Sequence, residues 1–237
     1  MSKLVEKFFY PESRPRVQPG TLNTYLNHYS YLIARKEPDI YGDFDNIFFD
    51  GIAIASISRL FGIRKPRASF DMTSMAREVF SLCDREGYSL YLIGSQPDVA
   101  RQAAERFKEK FRNLKIVGYA PGFFPTEVDR EHLIYEILAL NPDFLVCGMG
   151  TPHQDLFLVR LRKVGWKGTG YTCGGFLHQT AKGGIDYYPS LLDRLNLRWL
   201  YRIYDEPQLI PRYTTHFARF VWLYTWDMLK YKFKSSA

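Results

Sequence analysis

The sequence predicts an α/β protein: a Rossmann-like, mostly parallel sheet with helices on both faces, followed by a helical, basic and aromatic C-terminal appendage. Three observations carry this. Short apolar runs alternate with helical periodicity along most of the chain, the pattern of repeated strand–helix–strand units. Glycines cluster where the apolar runs end, in "FFDG", "LIGSQPD", "GYAPGFF", "GMGTPHQ" and "CGGFLHQ". Beyond about residue 190 the texture shifts to Arg, Lys, Trp and Tyr. The expected division is an α/β domain over 1–190 and a membrane-proximal helical appendage over 191–237.

The elements follow in order. The first twenty residues are charged and proline-containing and read as partly ordered. "TLNTYLNHYSYLIARKEPDI" has a short apolar start, then helical spacing of Tyr29, Leu32 and Ile33 ending near Pro38. "NIFFDG" is a compact strand, and "IAIASISRLFG" a helix closed by Gly62. "DMTSMAREVFSLCDREG" is a helix that Asp71 can cap, with Gly87 past its end. "YSLYLIG" is a strand, and "SQPDVARQAAERFKEKF" a helix starting near Ser95 or Asp98. "LKIVGYAPGFF" is a strand running into a glycine turn, "TEVDREHLIYEILALN" a helix, and "PDFLVCGMG" a strand. "TPHQDLFLVRLRKVG" is a helix, "GTGYTCGG" a strand, and "FLHQTAKGGIDYYP" a loop region.

Bulk composition excludes several classes. The 237 residues are 46% apolar and 24% charged, ordinary for a globular domain. No N-terminal run is long enough for a signal, and no segment reaches the roughly 18–20 apolar residues of a spanning helix, so a cytoplasmic, soluble or peripheral protein is expected. Cys83, Cys147 and Cys173 have no metal-ligand spacing and read as packing residues in a reducing compartment. Neither His153 nor His178 belongs to a metal motif, and no serine lies in a nucleophile elbow. No metal, cofactor or covalent intermediate is expected. The net charge of +7 suits a phosphorylated ligand, an anionic membrane or nucleic acid.

In a parallel sheet the strand C-termini share one edge, where ligands bind. All five glycine-rich stretches fall there. Asp50 ends the "FFDG" strand. It reads either as a general base, desolvated by its neighbours, or as a cap for the next helix, the commoner use of Asp at such a place. In "GMGTPHQD", Thr151 reads as a helix cap with Pro152 in the first helical position. That turn offers backbone N–H groups to phosphate or sugar oxygens, and Gln154 an amide to a hydroxyl-rich ligand. It is neither a phosphate-binding P-loop nor a dinucleotide fingerprint.

From Arg194 to Lys234 the chain carries five Arg and three Lys against Asp205, Glu206 and Asp227, with eleven aromatics, including Trp199, Trp222 and Trp226. That composition suits an element at an anionic headgroup layer. It also fits a helix pair packed on the core with a solvated basic face. No nucleic-acid motif accompanies it, and no nucleic-acid partner is expected.

Several ordered motifs then resemble the WecG/TagA/CpsF family of bacterial glycosyltransferases, glycosyltransferase family 26. They are "LN" at 26–27, "DGIAI" at 50–54, "RASFD" at 67–71, "YLIGSQPDVA" at 91–100, "VGYAPGFF" at 117–124, "NPDFLVCGMGTPHQD" at 141–155 and "LNLRWLYRIYDEP" at 195–207. The resemblance implies inverting, metal-independent transfer of an N-acetylmannosamine-type or related sugar from a UDP donor. The acceptor it implies is a polyprenyl-diphosphate-linked saccharide at the inner membrane face, in cell-surface polysaccharide synthesis. By motif position, Asp50 resembles the family's base, Gln154 its sugar-contacting glutamine, and Arg202 an appendage arginine meeting the diphosphate. The remaining substrate contacts implied are Thr24, Asn27, Gly51, Arg67, Asp71, Gly94, Gly122, Phe123, Gly148, Gly150, Thr151, Pro152, Gly174, Gly175, His178 and Arg212.

The chain departs from the family pattern at three places. Tyr25 stands where a threonine is usual, with Thr24 beside it. A second appendage arginine falls on Leu209, for which Arg212 is the substitute, and His178 replaces an acid. These point to a branch using a different sugar. Two rivals stay open on the residues alone: a nucleotide-sugar epimerase or NAD enzyme, and a non-enzymatic RNA- or membrane-binding module. Homo-oligomerisation is also left open.

Overall fold

The computed structural model describes residues 2–9, 16–185, 187–195 and 197–235. One six-stranded sheet organises it, with every strand pair parallel and the order β2-β1-β6-β5-β3-β4. In chain order the elements are α1 (Ser2–Phe9), β1 (Leu22–Leu26), α2 (His28–Ala34), β2 (Asn46–Phe49), α3 (Ile52–Leu60) and α4 (Met75–Glu86). Then come β3 (Ser89–Gly94), α5 (Val99–Lys110), β4 (Lys115–Ala120), α6 (Glu127–Leu140), β5 (Phe144–Gly148) and α7 (His153–Lys163). The chain ends with β6 (Thr169–Thr172), α8 (Phe176–Gly183), α9 (Ser190–Arg194), α10 (Arg198–Asp205), α11 (Ile210–Tyr213) and α12 (Thr215–Ser235). Thus the predicted fold class holds.

Side-chain alternation along the strands builds a core on each face. Tyr91, Ile93, Leu145 and Cys147 pack to one side with α1, α2, α6, α7 and α12. Leu90, Leu92, Phe144 and Val146 pack to the other with α4, α5 and α8. The last helix therefore enters the main core: Phe220, Tyr224 and Met228 are fully buried beside Phe8 and Tyr31. Buried Asp227 accepts from the Tyr31 hydroxyl (2.7 Å) and ion-pairs with Arg35.

Three readings are corrected, and the partly ordered N-terminus is made specific. The "short apolar start" LNTYL is β1, a central strand between β2 and β6. Its apolar signature is broken by Asn23 and Thr24, which are buried because both are bonded: Asn23 Nδ2 donates to the Gly170 carbonyl, and Thr24 donates to Asp155. The stretch read as a loop after β6 contains α8, which packs Phe176 on Phe107 of α5. Flanking glycines hide its short apolar face. The N-terminal segment supplies α1, with Leu4, Val5 and Phe8 buried; residues 10–15 lie outside the described residues. Asp71 does not cap α4, whose N-cap position is Ser74. Its Oδ1 instead accepts from the Thr73 amide and hydroxyl, ordering the preceding turn.

Candidate active site

Because all strands run parallel, their C-terminal ends meet at one rim. A cavity of about 840 Å³ opens there, within the range of small-molecule sites. β1 contributes Tyr25 and Asn27, β2 Asp50 and Gly51, β3 Ser95, and the loop after β4 Phe123. β5 supplies Gly148, Gly150, Thr151 and Gln154, and β6 Gly174, Gly175 and His178. The C-terminal arm closes the far side with Arg198, Arg202, Arg212 and Tyr213.

Asp50 lies at the mouth of β2, its amide held by the Leu26 carbonyl (2.9 Å). It does not cap α3: the N-cap is Gly51, at φ +107°, and no side chain bonds the cap. The carboxyl is thereby left to the cavity. Burial pushes it above the usual carboxylate range, and Asp71 adds to this, while Ser69, Arg67 and Arg198 pull it back. A carboxylate with raised basicity beside a ligand space is suited to accept a proton.

Three helices begin at this rim with glycine or proline caps and no side-chain cap bond: α3 at Gly51, α7 at Pro152 and α8 at Gly175. Their first-turn N–H groups and dipoles favour an anion there. Close packing sets this geometry. A Cβ on Gly94 would come within 2.5 Å of the Gly148 carbonyl oxygen, and one on Gly148 within 2.8 Å of the Gly174 oxygen.

Gln154 is buried and ties two rim loops together. Its Oε1 accepts the Gly174 N–H (3.1 Å), and its Nε2 reaches Thr151 Oγ1 at 3.5 Å. Below it lies buried Asp155, whose Oδ1 accepts from Thr24 (2.6 Å), with the Thr151 and Tyr41 hydroxyls nearby; burial pushes its carboxyl up to about 7. Thr172 donates to Thr24 (3.0 Å), so the network joins β1, β6 and α7 under the cavity floor.

The arm brings cations. Arg202 pairs with Glu206 (3.0 Å) and hydrogen-bonds Tyr188, and its guanidinium lies next to Gly175. Arg212 lies over the Tyr29 ring, 4.3 Å from its centroid, while its carbonyl accepts from His28 Nε2 (2.9 Å). Burial holds the His28 imidazole below its ordinary range, which favours the neutral ring.

The model of the glycosyl transferase WecG/TagA/CpsF family matches residues 15–234. The chain belongs to this family. It is a glycosyltransferase, and the NAD-enzyme and non-enzymatic readings fall away. It is 30% identical over 199 residues to a UDP-Gal:alpha-D-GlcNAc-diphosphoundecaprenol beta-1,4-galactosyltransferase of Shigella boydii, covering 84% of this chain and 83% of that one. It is 28% identical over 171 residues to an N-acetylglucosaminyldiphosphoundecaprenol N-acetyl-beta-D-mannosaminyltransferase of Bacillus subtilis (strain 168), covering 71% and 64% respectively.

Most of the residues expected at the glycosyltransferase site share its one cavity; four do not line it. Thr24 is fully buried, its hydroxyl committed to Asp155 and Thr172. Gly94 and Gly122 serve close packing: a Cβ on Gly122 would meet the Ser95 amide at 2.8 Å. Pro152 is the N-cap rather than the first helical residue, so α7 begins at His153. Asn27 lines the cavity, but its Oδ1 caps α2 through the Tyr29 and Ser30 amides; its Nδ2 is the atom left for a ligand. Sequence reasoning missed Ser69, Tyr188, Arg198 and Tyr213. Ser69 and Arg198 lay inside motifs that carry the family resemblance, Tyr188 lay in the stretch expected to be a loop, and Tyr213 had no signal beyond the basic, aromatic texture of the arm.

Proposed function

We propose that this glycosyltransferase moves an N-acetylmannosamine-type or related sugar from a UDP donor to a polyprenyl-diphosphate-linked saccharide, by a single inverting displacement that needs no metal. The observation that carries the reading is the shared cavity: a basic carboxylate, three helix N-termini and the arm guanidiniums surround one space. The names of the two relatives, a UDP-galactose galactosyltransferase and an N-acetylmannosaminyltransferase acting on diphosphoundecaprenol substrates, support the donor and acceptor classes.

Asp50 takes the proton of the acceptor hydroxyl as its oxygen bonds to the anomeric carbon. The bond from that carbon to the donor diphosphate oxygen breaks on the opposite face, and UDP leaves with the electron pair. Arg202, Arg212 and the helix ends of α3, α7 and α8 stabilise the charge growing on the departing diphosphate. Since Asp50 must be ionised to act, kcat/KM falls as pH drops through its midpoint.

The acceptor lipid places the reaction at a membrane. No helix among the described residues is long and apolar enough to cross one. The outer face of α12 instead exposes Trp222, Trp226 and Phe233 alongside Arg219, Lys230 and Lys234, which suits peripheral docking on an anionic cytoplasmic leaflet.

A screen of UDP-sugars against polyprenyl-diphosphate N-acetylglucosamine, read by mass spectrometry, tests this. One donor is expected to add a hexose or N-acetylhexosamine mass. Asp50→Asn should lower turnover by about 10²–10⁴-fold with UDP binding retained. Absence of transfer from every UDP-sugar, or full turnover in Asp50→Asn, overturns the reading.

A further inference from the structure

Asp50, Asp71 and Glu206 line the same cavity; Glu206 is paired with Arg202 and Asp71 with Arg198, both from the arm, while Asp50 has no ion pair of its own among the described residues. Asp71 Oδ2 accepts from Arg198 Nη1 at 2.7 Å, and both side chains are about 14% exposed. Its Oδ1 is taken by the Thr73 amide (2.9 Å) and hydroxyl (2.7 Å). Arg198 Nη2 reaches the same Thr73 hydroxyl, and its guanidinium lies 5.0 Å from the Tyr188 ring centroid. Asp71 is therefore bonded at both oxygens and oriented away from proton transfer.

The groups facing Asp50 come from three segments. The segment after α3 offers Arg67, the Ser69 hydroxyl and Asp71, the segment between α8 and α9 offers Tyr188, and the arm offers Arg198 and Tyr213. Neighbouring like charges resist joint ionisation unless one is compensated. The cation that compensates Asp71 stands in the first turn of α10, a helix that buries no residue of its own.

We propose that Arg198 is a positioning residue that decides whether Asp50 or Asp71 reacts: clamped on Asp71, it withdraws that acid and leaves Asp50 as the base. Seating of α10 and readiness of the base are then one event. With α10 displaced, Asp71 loses its cation, and Asp50 holds its proton more firmly. The inference rests on Asp50 as the base in the reading above, but its charge coupling is measurable without turnover.

The test is a ¹³C-carboxyl NMR titration of the full-length protein without substrate, with the Asp50 signal assigned by its loss in Asp50→Asn. Arg198→Gln should move the Asp50 midpoint to higher pH, on the order of one unit. Adding Asp71→Asn to that variant should bring it back to or below the wild-type position, and Arg198→Lys should stay near wild type. Asp71→Asn alone should move the midpoint down, which keeps the test open if Arg198→Gln fails to fold. In the transfer assay the acid limb of kcat/KM should follow these midpoints while KM for the UDP-sugar changes little. A midpoint unmoved in Arg198→Gln, or a double variant no different from that single one, overturns the inference. Equal activity loss at every pH, with unmoved midpoints, would mark Arg198 as structural and overturns it too. Shifted midpoints in a protein that transfers from no UDP-sugar would sink the functional reading and leave the charge coupling standing.

Discussion

The sheet rim and the C-terminal arm meet in one cavity but are held by different forces. The rim is set by backbone: parallel strand ends, glycine contacts below 3 Å to a would-be Cβ, and Gln154 bridging two loops. The arm segment α10–α11 buries no residue in either helix and is fastened by polar links. These are Arg198 to Asp71, Lys182 and Tyr187 to Asp205, and His28 to the Arg212 carbonyl. In the proposed mechanism the rim supplies shape and the base, and the arm supplies charge. A strand-end site can thus keep its architecture while its cationic half comes and goes, because polar links exchange with water more cheaply than a packed core does.

This contrast can be broken in stages. The largest effect is expected from Arg202→Ala, which in the proposed mechanism removes a cation from the leaving diphosphate: kcat/KM should fall about 10²–10³-fold, with an unchanged melting temperature. Arg202→Lys should recover part of it. A drop in melting temperature matching the loss of activity would show that the arm is structural rather than electrostatic. Next is the anchor behind the arm. Asp227→Ala leaves Arg35 and the Tyr31 hydroxyl without their acceptor and should cost about 2–3 kcal/mol in urea unfolding. An unchanged midpoint would mean that α12 is held by apolar packing alone.

Asp155 probes the rim. Its folded carboxyl is raised to about 7, chiefly by burial, so between about pH 4 and 7 the folded state binds more protons than the unfolded chain. Stability should therefore fall as pH rises through that window, by an amount on the order of a few kcal/mol, and level off above it. Asp155→Asn, which imitates the protonated acid, should flatten the curve. A wild-type curve already flat from pH 4 to 7 would remove the assignment. The smallest effect lies on the outer face of α12. Lys230→Gln with Lys234→Gln should weaken partition to anionic vesicles about thirtyfold, from about 1 kcal/mol per lysine, with neutral vesicles indifferent. Equal partition to both vesicle types would detach the basic face from membrane docking.

Much of the fold was legible because its signals are local. β2, β3, β4 and β5 are compact apolar runs, and the helices between them show their own period, with glycine stops after α3 and α4. β1 was not legible, since Asn23 and Thr24 interrupt its apolar pattern and are buried only because Gly170, Asn46 and Asp155 pair with them. α8 was missed for a related reason: its inward residues Phe176, Leu177 and Thr180 are too few to stand out between glycine pairs. At the site, motif position drew Thr24, Gly94, Gly122 and Pro152 toward the ligand, while the structure gives them to packing and capping.

The sequence by itself determined that strands and helices alternate, that their glycine-rich ends gather on one edge, and that a basic, aromatic segment follows. Each of these is written within a dozen neighbouring residues. Only the tertiary structure decided that the arm returns over that edge and that Arg198 meets Asp71 across 127 positions. It also decided that Asp50 faces the cavity with Gly51 taking the cap. Charge pairing and desolvation depend on distances through space, and those exist only once the chain has closed on itself.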